Sequence, residues 1–404
     1  MAAFGPPFFI EEQLEAEKKR QFWHPPIWKW AVVLLLTGVA AALFFWPARP
    51  PKVELLPFSN TPPDWDGSQP WLVISPIAGS APLKFKSEIA MVKPTLRHES
   101  PVNEFVVNLR NGNFKLLQTD LFVPDTVPLC LTRTYFAWNP KGHAFGVGTN
   151  HPYDICPTGS RFPYTYMDLN LEDGYQVYMP RVSKGTGYAD AVFRHSRSAS
   201  EFFGAQVAWN GNGWTMTFLD GRKIYFPEAY YSKNFAQGAP TEMVDEHGRR
   251  IQFKRSTVRN LEELVSPNGH TIDFEHDSAD RIVEARDDAG GVRKYSYDST
   301  GHLDSVSDGS HILYRFEYRR LMGGADNDPY LMTAVLDGDW NVLVRNKFVN
   351  GRVSEEQLGD GEVYRFEYQF KGSELVGTAV TLPSGDKKDV FVSGWDSGWR
   401  EITP

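Results

Sequence analysis

Aromatic residues recur at Phe253, Phe274, Tyr295 and Phe316, and each step is 21 residues. A fixed period of that length marks an internal repeat, whose units bury their apolar faces only by stacking on their neighbours. In each unit an apolar residue leads into a turn, as in Val244-Asp245-Glu246-His247-Gly248 and Val265-Ser266-Pro267-Asn268-Gly269. An alternating run then ends on the aromatic. The third unit continues as Tyr295-Ser296-Tyr297-Asp298-Ser299-Thr300-Gly301-His302-Leu303. Side chains two apart share one face of a strand, so Tyr295 and Tyr297 are expected on the same side. Asp298 can accept a hydrogen bond from the backbone two residues on, and Gly301 can take positive φ, which suits both to the turn between strands. The period predicts a tandem array of antiparallel β-hairpins.

The wording Tyr-x-Tyr-Asp-x-x-Gly-x-Leu on a period near 20 residues resembles the rearrangement-hotspot (RHS, YD-repeat) family. Phe316-Glu317-Tyr318 and Phe366-Glu367-Tyr368 repeat the aromatic pair, and Asn350-Gly351-Arg352-Val353 is similar to the family's return strand. A Gly- and Asp-rich insert at about 321–328 interrupts the period. Upstream, Asn108-Leu109-Arg110-Asn111-Gly112-Asn113-Phe114, Thr119-Asp120, Thr132 to Tyr135 and Gly146 to Asp154 resemble the β-domain that precedes the repeats in that family, except that Thr149 stands where Trp is usual. The resemblance covers about residues 102–391. It implies an all-β body: a β-domain at 102–229, then YD-type hairpins at 230–391 forming a partial RHS-type shell. Larger members enclose a C-terminal toxin and often release it at an Asp-Pro-x-Gly-Leu motif. Asp328-Pro329-Tyr330-Leu331 lacks the Gly and reads as a turn, and only the tail 392–404 follows, so a short form without a toxin domain is expected.

The N-terminal region carries the second strong signal. No charged residue occurs from Trp30 to Trp46, and the run 27–46, at about 1.5 Å per residue, matches a hydrocarbon layer about 30 Å thick. Trp28, Trp30 and Trp46 suit the two interfaces, and Lys29 can snorkel. An uncleaved transmembrane helix is expected rather than a signal peptide, because the apolar core exceeds the usual length and the preceding segment is acid-rich. Four basic residues lie before its apolar core and two after it, which places the tail 1–26 in the cytoplasm and the body outside, on an inner (cytoplasmic) membrane. Eleven prolines between 47 and 101 predict a stalk or collar that takes no part in a core.

Beyond residue 52 the chain holds 36 basic and 46 acidic residues, which argues against nucleic-acid binding. Cys130 and Cys156 can form one disulfide if the body is exported; the alternative is a pair of buried free thiols. Neither lies in a metal-ligand pattern, and no cofactor is expected. No Gly-x-Ser-x-Gly, His-Glu-x-x-His or P-loop occurs. His143, His151, Asp154 and Cys156 are close in sequence but lack ligand spacing, and Asp287-Asp288 and Asp360 with Glu362 read as turn residues rather than glycosidase carboxylates. The expected function is a non-enzymatic, membrane-anchored scaffold or interaction protein of a bacterial envelope or toxin-delivery system, with a protein partner or self-association. The alternatives are a surface-glycan binding module, motivated by 14% aromatic residues, and a hydrolase whose site only the fold assembles.

The orientation is open to direct test. Protease added to spheroplasts should digest epitopes placed after Pro101 and spare one placed before Phe22; a protected C-terminal epitope would refute the topology.

Overall fold

Alternating apolar residues separated by Gly-, Asn- and Asp-rich turns dictate strands joined by hairpins, and the described chain is built from little else. A computed structural model describes residues 53–80, 82–137, 142–229, 235–321, 330–391 and 399–401. Over these residues the structure is all-β with antiparallel pairing, interrupted by two short 3-10 turns at Pro152–Asp154 and Phe235–Gly238. The expected transmembrane segment 27–46, with Trp28, Lys29, Trp30 and Trp46, lies outside the described residues. Among the described residues no helix is long and apolar enough to cross a membrane.

Three sheets carry the architecture. A long sheet of 18 strands runs as a meander from Val192–Arg194 to Lys387–Phe391, each strand pairing with the next. An inner sheet of six strands has the order Phe85–Val92, Gln69–Pro76, Asn103–Asn108, Phe114–Val123, Leu129–Phe136, Thr149–Asn150. A four-stranded flanking sheet has the order Trp399–Glu401, Tyr175–Pro180, Tyr166–Asn170, Cys156–Gly159.

From Gln69–Pro76 to Leu129–Phe136 the inner sheet is covered on both faces, while its edge strand Phe85–Val92 is largely exposed. Leu72, Ile74, Phe105, Val107, Leu116 and Leu131 pack on the inward aromatics of the hairpin array. Their strand neighbours Trp71, Val106 and Leu117 point the other way and pack with Tyr175, Val177, Phe193, Trp214 and Met216. Leu129–Phe136 is buried at every position, as a strand covered on both faces must be.

Two expectations are corrected here. Residues 69–92 are no stalk. Gln69–Pro76 is an interior strand of the inner sheet, with Trp71, Leu72 and Ile74 buried. Proline content misled because Pro70 and Pro76 sit at strand ends, where a missing N–H is tolerated. Nor do the boundaries at 101/102 and 229/230 separate units. Residues 53–404 form one compact unit, the long sheet begins well before residue 230, and the inner sheet packs into the same core as the hairpin array.

The turns of the meander share one design. In those opening at Asp245, Ser256, Ser266, Asp277, Asp287, Asp298 and Asp337, the N–H of the first residue donates to the carbonyl of the fifth, and the N–H of the fourth donates back to the first. The first side chain accepts from the fifth residue's N–H, as Asp298 does from His302 at 2.9 Å. The fourth residue takes positive φ. Gly301 supplies it at +86°, but Arg259, Asp280 and Trp340 hold the same place at +75°, +62° and +69°. An L-residue there pays about 1–2 kcal/mol in steric strain.

A Cβ at position 301 would lie 3.7 Å from its nearest neighbours, so only the backbone conformation penalises Gly301→Ala. The substitution should lower stability in chemical denaturation by about 1–2 kcal/mol. Arg259→Gly should raise it by about 0.5–1 kcal/mol, less than the strain relieved, because Gly adds freedom to the unfolded chain.

Candidate functional site

The 21-residue period has a counterpart in the domain it encloses. Phe253 meets Tyr153 with ring centroids 5.4 Å apart, Phe274 stacks on His151 at 6.4 Å, and Tyr295 meets Phe145 at 4.7 Å. Phe316 lies under the Arg133 guanidinium at 5.5 Å. As the repeats advance, their partners step back along the β-domain, so the two segments run antiparallel ring against ring. All four repeat aromatics are buried.

Tyr297 does not simply share the face of Tyr295. A bulge falls between Ser296 and Tyr297, and equivalent shifts recur at Lys254/Arg255, Glu275/His276 and Glu317/Tyr318. Past the bulge Tyr297 is half-buried and its hydroxyl donates to the Ile282 carbonyl; Tyr318 does the same to Leu303 at 3.0 Å. Each second tyrosine thereby ties one hairpin to the one before. Asp298 is held below the usual carboxylate range: burial alone would raise it, but the hydrogen bonds from Thr300 and His302 outweigh that.

The centre of the seam is ionic. Arg133 and Asp120 are both buried, with Arg133 Nε and Nη2 donating to Asp120 at 2.5 and 3.0 Å and Nη2 also to Gln118 at 3.0 Å. The Tyr295 hydroxyl donates to Asp120 Oδ2 at 2.8 Å. Further polar ties bind the layers: Met332 N donates to Tyr135 Oη at 3.0 Å, and Asp125 accepts from Ser266 and Asn268 in the second repeat's turn. At Gly112, φ is +76° and an added Cβ would stand 2.6 Å from Arg352 Cβ, so only glycine permits this approach of the two layers.

Inward cross-strand pairs follow the repeat: Phe253–Leu264, Phe274–Ala285, Tyr295–Val306, Phe316–Val335 and Phe366–Val380. One pair breaks the pattern. Asn346 faces Glu356, both buried, and neither Glu356 oxygen nor Asn346 Oδ1 has a hydrogen-bond partner among the described residues. Desolvation pushes the Glu356 carboxyl up to about 8, so at neutral pH it is held mostly uncharged.

Groups able to do chemistry are mostly committed inside the fold. Ser198 Oγ lies 2.8 Å from His195 Nε2, whose Nδ1 bonds the Tyr178 carbonyl at 2.9 Å, an arrangement like that of a nucleophile and its base. Both residues are fully buried, beyond the reach of substrate. His151 is buried and lowered to about 4 by desolvation, while Asp154 binds Arg255 at 2.9 Å. Lys115 is buried with its ammonium over the rings of Tyr175, Trp71 and Phe136 at 4.2, 4.7 and 5.4 Å. Desolvation and the neighbouring Asp173 raise the Glu172 carboxyl well above its usual range. Cys130 and Cys156 are buried free thiols on different sheets, and Cys130 lies 3.4 Å from Thr132 Oγ1. Asp287, Asp288 and Asp360 stand in turns: Asp288 pairs with His270 at 2.7 Å, and Asp360 accepts from Glu362 N at 3.1 Å. Asp328-Pro329 lies outside the described residues. Among the described residues no three His, Cys, Asp or Glu side chains converge on a metal position.

A cleft of about 600 Å³ opens beside the loops 93–99 and 126–128. It is lined by the apolar Leu96, Val127, Phe218, Ile224 and Met243 and by charged residues that include two ion pairs, Arg222 with Glu201 at 3.0 Å and Arg249 with Asp245 at 2.6 Å. Sequence reasoning missed this cleft, which has no local motif, and it quoted the motifs that hold Asp120, Arg133 and His151 without foreseeing their burial, which depends on strands distant in sequence.

A model of a domain of unknown function, DUF6531, matches residues 106–176, the stretch that supplies Lys115, Asp120, Arg133, His151 and Tyr153. No curated protein sequence matches the chain. Among solved structures, it is similar to the crystal structure of TcdB2-TccC3 without the hypervariable C-terminal region, at 12% identity over 74% of this chain and 19% of that one, with a TM-score of 0.23. It is also similar to the Photorhabdus luminescens Tc holotoxin pore with the mutation TccC3-D651A, at 10% identity over 75% of this chain and 22% of that one, with a TM-score of 0.19. The chain thus spans about a fifth of the length of the solved chains it matches.

Two substitutions test the seam and the break in its pattern. Tyr295→Ala removes a buried ring and uncovers Asp120, and should cost about 3–5 kcal/mol, whereas Asp298→Ala loses only turn hydrogen bonds and should cost about 1–2 kcal/mol. A Tyr295→Ala protein that melts like the parent would show that the ring is not docked. For Glu356 the folded carboxyl titrates above the unfolded one, so its contribution is fully present below about pH 4 and is lost as pH rises through about 8. Glu356→Val should therefore raise the melting temperature more at pH 8 than at pH 4. Equal shifts at the two pH values would mean that the acid is not buried uncharged.

Proposed function

We propose that this protein is a non-enzymatic, membrane-anchored RHS-like scaffold of a bacterial envelope or toxin-delivery system, acting by association through its sheet. The observation that carries this reading is how the repeat aromatics are used. Phe253, Phe274, Tyr295 and Phe316 are consumed one by one in holding the β-domain, and the ionisable residues nearest them are spent on the same task. A body so committed presents a rigid outer surface and its sheet edges. The anchor in this reading comes from the apolar run at 27–46.

The flanking sheet's edge is closed by the chain itself, because Trp399–Glu401 pairs with Tyr175, Gln176 and Val177. The long sheet ends at Lys387–Phe391, which has no further strand beside it among the described residues. Exposed Lys387, Lys388 and Asp389 discourage indiscriminate pairing, while Phe391 is 78% exposed. A partner strand extending the sheet there is the mode of association this reading favours.

A photo-crosslinking residue placed at Phe391 in cells should give one discrete adduct, absent when the same residue replaces Leu219 on another exposed surface. Turnover of a peptide or glycan by the purified protein, abolished by a single carboxylate substitution, would overturn the non-enzymatic reading.

A further inference from the structure

A row of aromatic rings crosses the surface away from the seam. Phe162 meets Tyr164 at 5.8 Å, Tyr164 meets Tyr188 at 6.2 Å, Tyr188 meets Trp209 at 5.1 Å and Trp209 meets Trp214 at 5.4 Å. Tyr164 and Trp214 form a buried floor, Trp209 is half-buried, and Phe162 and Tyr188 are 73% and 47% exposed. No packing need explains the exposed members, since the core beneath is closed by Phe193 and Trp214.

Two ion pairs stand among these rings, the first half-exposed and the second with its arginine buried and its carboxylate open to water. Arg161 binds Glu228 at 3.2 Å and lies over the Tyr164 ring at 5.6 Å, and Glu228 also accepts from Trp214 Nε1 at 3.2 Å. Arg181, which donates to the Tyr164 carbonyl at 3.1 Å, binds Asp190 at 3.0 Å beside Tyr188. These pairs select the ligand. Sinking the row into hydrocarbon would strip water from Arg161, Glu228 and Asp190, a cost that the attraction within each pair does not return. A proline-rich peptide offers carbonyl acceptors but few N–H donors, and so gives nothing to the lone pairs of Glu228 and Asp190 that Arg161, Trp214 and Arg181 do not use. Hydroxyl groups both donate and accept, and the C–H faces of sugar rings suit the negative faces of aromatic rings. A notch of about 20 Å³, lined by Ser160, Arg161, Tyr164 and Trp214, has room for one hydroxyl or water and no more.

We propose that the row Phe162–Tyr164–Tyr188–Trp209–Trp214, with Glu228 and Asp190, is a binding site for a polysaccharide of pyranose rings. The site is independent of the scaffold reading and of the edge at Lys387–Phe391.

The full chain, held in a detergent without a sugar headgroup, is titrated with cellohexaose and with chitohexaose, and binding is read by tryptophan fluorescence and calorimetry. Saturable binding of at least one hexasaccharide is expected, weakened by about tenfold in Phe162→Ala and Tyr188→Ala. Both residues are exposed, and unchanged circular dichroism confirms that the variants fold. Trp340→Ala, which removes an exposed ring elsewhere, should bind as the parent does. The proposal is overturned if neither sugar binds at millimolar concentration, or if Trp340→Ala weakens binding as much. It is also overturned if decaproline or phospholipid vesicles, rather than the sugars, bind in a manner lost with Phe162 and Tyr188.

Discussion

The hydroxyl of Tyr295 completes a buried ion pair 175 residues back in the chain. Asp120 and Arg133 face each other across neighbouring strands of the inner sheet, out of water, where desolvating two charges costs more than their attraction returns unless every remaining donor and acceptor is met. Gln118 meets one need, the faces of Tyr295 and Phe316 another, and the Tyr295 hydroxyl a third. The pair is therefore complete only when the third repeat docks in one register. A slip of one residue would turn the Tyr295 side chain to the other face and strand the Asp120 carboxylate. The same docking carries Phe274 to His151 and Phe253 to Tyr153, because the period of the repeats sets their spacing.

Everything central to the fold hangs on that register. The central strands of the inner sheet can be buried on both faces because the long sheet packs its inward aromatic and aliphatic side chains against one of them. In the third and fourth units the bulge is followed by a tyrosine, and the hydroxyls of Tyr297 and Tyr318 reach back to the carbonyls of Ile282 and Leu303. Among the described residues the Asn346–Glu356 pair departs, placing two polar side chains where five other hairpins have a ring and an aliphatic group. That unit should be the least stable part of the array, since three buried oxygens there lack donors among the described residues.

With its interior so committed, the body meets other molecules through what remains outside. That is the end strand of the long sheet, the charged-rim cleft beside the 93–99 loop, and the aromatic row around Tyr188. These are chemically distinct: a sheet edge, an apolar cleft bordered by charges, and rings interleaved with ion pairs. A scaffold that holds one partner by its edge and a polysaccharide by its face would need no catalytic group.

Local physics made much of this legible from the residues alone. The turn at Asp298–Gly301 is written in an Asp that caps backbone donors and a Gly that takes positive φ, both effects within five residues. The Asn111-Gly112 hairpin and the 21-residue spacing of buried rings are equally local, so strands, turns and period could be read in order. Tertiary structure alone decided that Gln69–Pro76, despite its prolines, becomes an interior strand, that the β-domain fills the hairpin array instead of preceding it, and that Tyr297 lies past a bulge. It also decided that Arg133 is buried rather than exposed, and that five rings from separate turns and strands align around Tyr188. Each of these depends on groups tens to hundreds of residues apart meeting in space. Periodicity records which face of a strand is apolar, but it holds no information on which other face will cover it.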